Sequence, residues 1–180
     1  MTNILLTIGL GLLFALVHMA NDWLFAFTSY APNVSLIYLP AFLRLLNVLV
    51  LGKFKGTLAT LLGGLLLLDV DNSGSLQIAL ANVLSSAAAP LLALLAFEQW
   101  RARQVSLTSL ADLVLVTLIY CLFSSLLHHL GWAIFSAQSL GTPQQMLVMA
   151  LGDLSGALIG AYGLKWAALR LKIVGPGSNH

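Results

Sequence analysis

The chain has 180 residues, of which 59% are hydrophobic and only 8% charged, with a formal net charge of +2. Soluble domains average about 25% charged residues, so a chain with a mean hydropathy of +0.96 finds its solvent in lipid. The length holds one compact bundle and no separate kinase, nucleotide-binding or DNA-reading domain, and so small a charge offers no grip on nucleic acid.

Six apolar segments follow one another at about 4–27, 34–51, 56–69, 77–97, 110–135 and 145–169. A bilayer core about 30 Å thick takes about 20 apolar residues per helix. None of the segments alternates apolar and polar residues as a membrane barrel strand does. The expected fold is therefore all-α: a polytopic bundle of six transmembrane helices forming one domain over 1–172. The tail at 173–180 has no periodicity and is expected to be flexible.

The first segment has no basic leader, and its Ala20-Asn21-Asp22-Trp23 end is a poor cleavage site, so it reads as a retained span and not a signal peptide. His18 and Asp22, four residues apart, share a face of it. The second carries Arg44 and Asn47, with Pro40 placed to bend it. The third, between Gly56 and Asp69, is short enough to be either a short helix or a re-entrant segment. The fourth carries Asn82, a small-residue patch at 85–89 and Pro90. The fifth carries His128, His129 and the lone Cys121, which reads as a buried small hydrophobe. The sixth carries Asp153 beside Gly152, Gly156 and Gly160, a small-xxx-small series that lets another helix approach closely. The patch at 85–89 is its natural complement. Trp23, Tyr30, Tyr38, Trp100, Trp132 and Trp166 fall near segment ends, where interfacial anchoring accounts for them.

Seven of the eight Lys and Arg residues fall in or near alternate breaks: Lys53 and Lys55, Arg101 and Arg103, then Lys165, Arg170 and Lys172. The intervening breaks, around 28–33, 69–75 and 136–144, contain none. By the positive-inside rule the basic breaks and both termini are expected in the cytoplasm.

Ionisable residues inside a span are costly and mark a bundle interior or a cavity. Counted from the outer end of each segment, His18, Asp22, Arg44, Asn82, His128 and Asp153 all fall in the outer-to-middle layer. Arg44 and Asp153 match in depth and are opposite in charge. They can act as an interhelical clasp or as a charged site reached from outside. His128 and His129 diverge by about 100° on a helix and read first as packing histidines. His18, Asp22 and His128 together could make a transition-metal site, and His18 with His128 could ligate haem. The simpler expectation is no metal and no cofactor. Ser85, His128 and Asp153 can be assembled into a catalytic triad only on paper, since no nucleophile-elbow sequence surrounds Ser85. No enzymatic activity is expected.

Tyr38-Leu39-Pro40-Ala41-Phe42-Leu43-Arg44, followed by a run to Leu51-Gly52-Lys53-Phe54-Lys55-Gly56, resembles the opening of the first class of bacterial membrane-associated sensor (MASE-type) domains. Ile78-Ala79-Leu80-Ala81-Asn82-Val83, Leu107-Thr108-Ser109-Leu110-Ala111-Asp112 and Gly152-Asp153-Leu154-Ser155-Gly156 are similar to later stretches of that family, the last being the most specific. The resemblance spans roughly 36–168. It implies a sensory or accessory module of the bacterial inner membrane, here with fewer spans and no output domain, acting through another membrane protein or complex. Six spans in about this length also resemble the ligand-binding component of energy-coupling-factor transporters, which implies capture of a small molecule from the outer side. A purely structural subunit, packed on a partner through Gly152, Gly156 and Gly160, is the third expectation.

Overall fold

The computed structural model describes residues 2–68, 75–135 and 141–170. Asp69, Lys172, the tail and most of the breaks at 69–75 and 136–144 lie outside the described residues. Among the described residues there are six α-helices: α1 Thr2–Leu24, α2 Pro40–Leu51, α3 Lys53–Leu65, α4 Leu76–Arg101, α5 Leu110–Phe135 and α6 Pro143–Arg170. Between α1 and α2 lie a 3-10 turn at Ala26–Thr28 and a small antiparallel ribbon, β1 Ser29–Ala31 with β2 Val34–Ser35. The protein is all-helical apart from this ribbon. Helices α1, α4, α5 and α6 are each long and apolar enough to cross a membrane, which is the mark of a membrane protein.

The remaining two helices depart from the expected segments. At 1.5 Å per residue, the 12 residues of α2 and the 13 of α3 reach only about 18 and 20 Å. Residues 34–39 are extended or turning, because Pro40 does not bend a longer helix; it occupies the first turn and starts a shorter one. Its missing N–H costs nothing there. Gly52, at φ 81° and ψ 168°, ends α2 and begins α3 with no other connecting residue. Only glycine adopts that geometry without strain. Lys53 and Lys55 thus lie in the first turn of α3 and not in a loop.

Helices α2 and α3 fold back on each other so closely that a Cβ at Gly56 would fall on the backbone of Asn47 and Val48. Beside this contact, Asn47 Nδ2 donates to Thr60 Oγ1 at 3.1 Å, both residues being fully buried. Helix α1 lies along α3, α3 along α4, α4 along α5, α5 along α6, and α6 returns to α2. Helix α2 also touches α1 and α4, so it stands at the centre. The main core gathers Leu45, Val48, Ala89, Ala93, Phe97, Val116 and Tyr120 around it. Pro90 sits inside α4 without ending it.

One end of the bundle is fastened by ion pairs. Lys53 Nζ bonds Glu98 Oε2, joining the α2–α3 turn to the end of α4. Arg103 grips Asp112 with both terminal nitrogens, Nη2 donating to Oδ1 at 2.7 Å, and the Ser106 N–H adds a third bond at 3.1 Å. The opposite end carries the ribbon.

Candidate functional site

The segment from the ribbon into α2 is seated on α6 by the glycine series. A Cβ at Gly152 would fall on the Ser35 carbonyl oxygen, one at Gly156 on the Tyr38 carbonyl oxygen, and one at Gly160 on the Phe42 ring. Backbone can therefore lie directly on backbone. Tyr38 N–H donates to the Gly152 carbonyl at 3.1 Å, and Ser155 Oγ donates to the Leu36 carbonyl at 2.6 Å. On the other side, Asn21 Oδ1 accepts the Leu39 N–H at 2.9 Å. The partner of the glycine stripe is thus 35–42 of the same chain, and not the small patch at 85–89. Ser85 instead lies near Gly131 of α5. The stripe is covered from within the chain.

Below the ribbon lies a cavity of about 460 Å³. Every helix contributes to its wall. His18, Asp22, Arg44, Asn82, His128 and Asp153, six residues from five helices, all line it. Its rim is formed by exposed residues such as Asp22, Pro32 and Asn33, and its depth by buried Arg44, Ser124, His128 and Asp153. The cavity therefore opens at the ribbon end and closes towards the middle of the bundle.

A polar chain runs down one wall. Arg44 Nη2 donates to Tyr38 Oη at 2.6 Å, and Tyr38 Oη lies 2.8 Å from His18 Nδ1. A guanidinium only donates, so the phenol oxygen accepts from Arg44 and turns its own proton to His18. With Nδ1 accepting, the ring carries its proton on Nε2, which faces Asp22 Oδ2 at 3.6 Å. Arg44 also stands over the Tyr38 and Phe14 rings, 4.7 and 5.6 Å from their centroids. Aromatic faces attract a cation electrostatically, and more so away from water. Here they flank a guanidinium that is only 5% exposed.

The facing wall is built by α4, α5 and α6. His128 Nδ1 donates to the Ser124 carbonyl at 2.8 Å, so Nε2 accepts from Ser86 Oγ at 3.3 Å. His129 Nδ1 likewise donates to the Ser125 carbonyl. Both histidines are buried. Trp132, expected at the interface, donates its indole N–H to Asn82 Oδ1 at 2.7 Å. Asp153 is 2% exposed.

Two arrangements that the sequence allows are not formed. Arg44 and Asp153 make no ion pair within 4.0 Å. They line one cavity, Arg44 bonded to Tyr38 instead, because the hydroxyl six residues earlier reaches the guanidinium first. Nor do His18, Asp22 and His128 converge. Among the described residues no group of three or more His, Cys, Asp or Glu is placed to hold a metal ion. His18 is turned to Tyr38, and both ring nitrogens of His128 are engaged.

Three buried polar atoms in the cavity wall have no hydrogen-bond partner among the described residues: Arg44 Nε, Asp153 Oδ2 and Ser124 Oγ. Buried polar groups are ordinarily satisfied, so their clustering in one wall marks it as the chemically unfinished part of the molecule. Sequence reasoning missed Tyr38, Asn21, Ser86 and Ser124. Tyr38 resembled an interfacial aromatic, and Ser86 lay in the small-residue patch at 85–89. One signal was available: Ser124 lies one turn before His128, on the same helical face.

No protein-family model, curated protein or solved structure matches the chain.

Proposed function

We propose that this is a six-span protein of the bacterial inner membrane, both termini in the cytoplasm, that captures a small polar molecule from the outer side and has no enzymatic activity of its own. In this it resembles the ligand-binding component of an energy-coupling-factor transporter. The observation that carries the reading is the cavity beneath the ribbon, with Arg44 and Asp153 buried at its base. Small-molecule sites are concave, about 300–1,000 Å³, largely apolar, and hold a few convergent polar groups. The cavity has that size and that composition. It opens at the end of the bundle that carries no Lys or Arg around 28–33, which the positive-inside rule places outside. In this topology α2, together with the extended residues before it, and α3 make the second and third crossings. A membrane partner that receives the captured molecule or its signal belongs to this reading.

A sensor-like module of the MASE type is the second reading, and one observation favours it. Two of the stretches that carry the family resemblance, 38–44 and 152–156, form a single unit: Gly156 backs the Tyr38 carbonyl, Tyr38 holds Arg44, and Gly152 receives the Tyr38 N–H. A ligand that moved Arg44 would therefore act directly on the α2–α6 contact.

Purification from native membranes in mild detergent, with mass spectrometry of everything that co-elutes, separates the two. A retained small molecule, lost on Arg44→Gln or Asp153→Asn, is the expected result. A stoichiometric protein partner with no small molecule would replace capture by the sensor or accessory reading.

A further inference from the structure

The two charges in the cavity define the chemistry of what fills it. Arg44 and Asp153 are 5% and 2% exposed, come from different helices, and are not joined to each other. The guanidinium has one nitrogen on Tyr38 and keeps Nε unpartnered, while Asp153 keeps Oδ2 unpartnered. Charges taken out of water are stable only when paired and hydrogen-bonded. A ligand with a single negative charge would answer Arg44 and bring a second anion beside Asp153. A ligand with a single positive charge would do the reverse. A neutral one would leave the two charges only their mutual attraction, across more than the 4.0 Å of an ion pair.

We propose that the cavity takes a small molecule of mixed charge, its anionic group on the Arg44 guanidinium and its cationic group towards the Asp153 carboxylate. This rests on the capture reading and narrows it to zwitterions. The rest of the wall fits the same class. Phe14, Leu67, Val83 and Met149 offer apolar surface to the part of the molecule between its charges. The buried Ser124 hydroxyl lies beside Asp153 at the base and offers a further polar group there.

The test uses the full-length protein in detergent and three matched probe series. These are ω-amino acids from glycine to 8-aminooctanoate, the corresponding alkanoic acids, and the corresponding alkylamines. Melting temperature is read against probe concentration. The expected result is a saturable rise with at least one ω-amino acid and none with its matched acid or amine. Asp153→Asn should weaken that amino acid by about thirtyfold or more, the consequence of removing one partner from a buried charge pair. The same variant should gain affinity for the plain acid. If acids alone or amines alone stabilise the wild type equally well, the mixed-charge class is overturned while capture stands. If all three series are silent, the molecule retained through native purification decides. One bearing both charges upholds the proposal, and one bearing a single charge or none overturns it. Silence in all three series with nothing retained overturns capture as well.

Discussion

Replacing Gly156 with alanine adds one methyl group at the point where α6 meets the chain entering α2. Its Cβ would fall on the Tyr38 carbonyl oxygen and crowd the Leu39 nitrogen. Both are backbone atoms, and no flexible side chain can swing away. Overpacking a tight interior commonly costs about 1–3 kcal/mol, and a clash with backbone belongs at the upper end. Separation of the two segments would also weaken the bond from Tyr38 N–H to the Gly152 carbonyl, worth about 1 kcal/mol. A loss of about 3–4 kcal/mol follows. At about 2–4 °C per kcal/mol for a chain of this size, the melting temperature should fall by about 6–16 °C. The assay is thermal unfolding of the purified protein in mild detergent. Gly9→Ala and Gly163→Ala are the controls, because a Cβ at either position meets nothing within 4 Å. Alanine exceeds glycine in helix propensity by about 1 kcal/mol, so both controls should melt at or slightly above the parent. If Gly156→Ala melts with the controls, α6 does not seat the 35–42 segment and the account of the site fails. Because Tyr38 is displaced with its carbonyl, the same variant should also lose ligand retention.

Other measurements probe separate parts of the structure. Tyr38→Phe and Arg44→Gln should be non-additive in a double-mutant cycle, with a coupling of about 1–3 kcal/mol for a charge-assisted bond; additive losses would mean that the 2.6 Å contact does not hold in the membrane. Trp132→Phe leaves Asn82 Oδ1 without its indole donor and should lower stability by about 1 kcal/mol, read by the same melting assay, an unchanged melt refuting the contact. On a Cys121→Ser background, a cysteine at Asn33 should react with an impermeant maleimide in intact cells, whereas one at Arg103 should react only after permeabilisation. The reverse pattern would invert the orientation and place the cavity mouth in the cytoplasm.

An arginine this deep in an apolar bundle needs an explanation from its surroundings, and α2 supplies one through its shortness. Because the helix begins only at Pro40, the preceding residues are free to run across α6, and this brings the Tyr38 hydroxyl back over Arg44. A helix continuous from residue 34 would have placed the Tyr38 and Arg44 side chains about 120° apart around its axis. Gly152 and Gly156 permit the close approach, and Asn21 caps the segment from α1. The same non-helical backbone would be costly if exposed to lipid, since its polar groups need internal partners. Here bonds to Gly152, Asn21 and Ser155 provide them.

Apolar run length and the rarity of charge are local properties, and hydrocarbon acts on each run independently. Helical content, membrane residence and the four long helices were for that reason legible along the chain. So was the set of polar residues that belong together, because a buried ionisable group is costly wherever it lies: Arg44, Asp153, Asn82, His18, Asp22 and His128 meet in one cavity. Which partner each one takes depends on distances between helices, and these the sequence does not carry. Opposite charge at equal depth pointed to an Arg44–Asp153 clasp, but a hydroxyl brought round by the break at Pro40 took the guanidinium. The glycine series announced a close approach without naming its partner, since small residues record only that something large is absent. The ribbon, the bond from Tyr38 to Arg44 and the pair of opposite charges left facing one cavity were decided by tertiary structure alone, where the packing of six helices settles which groups can touch.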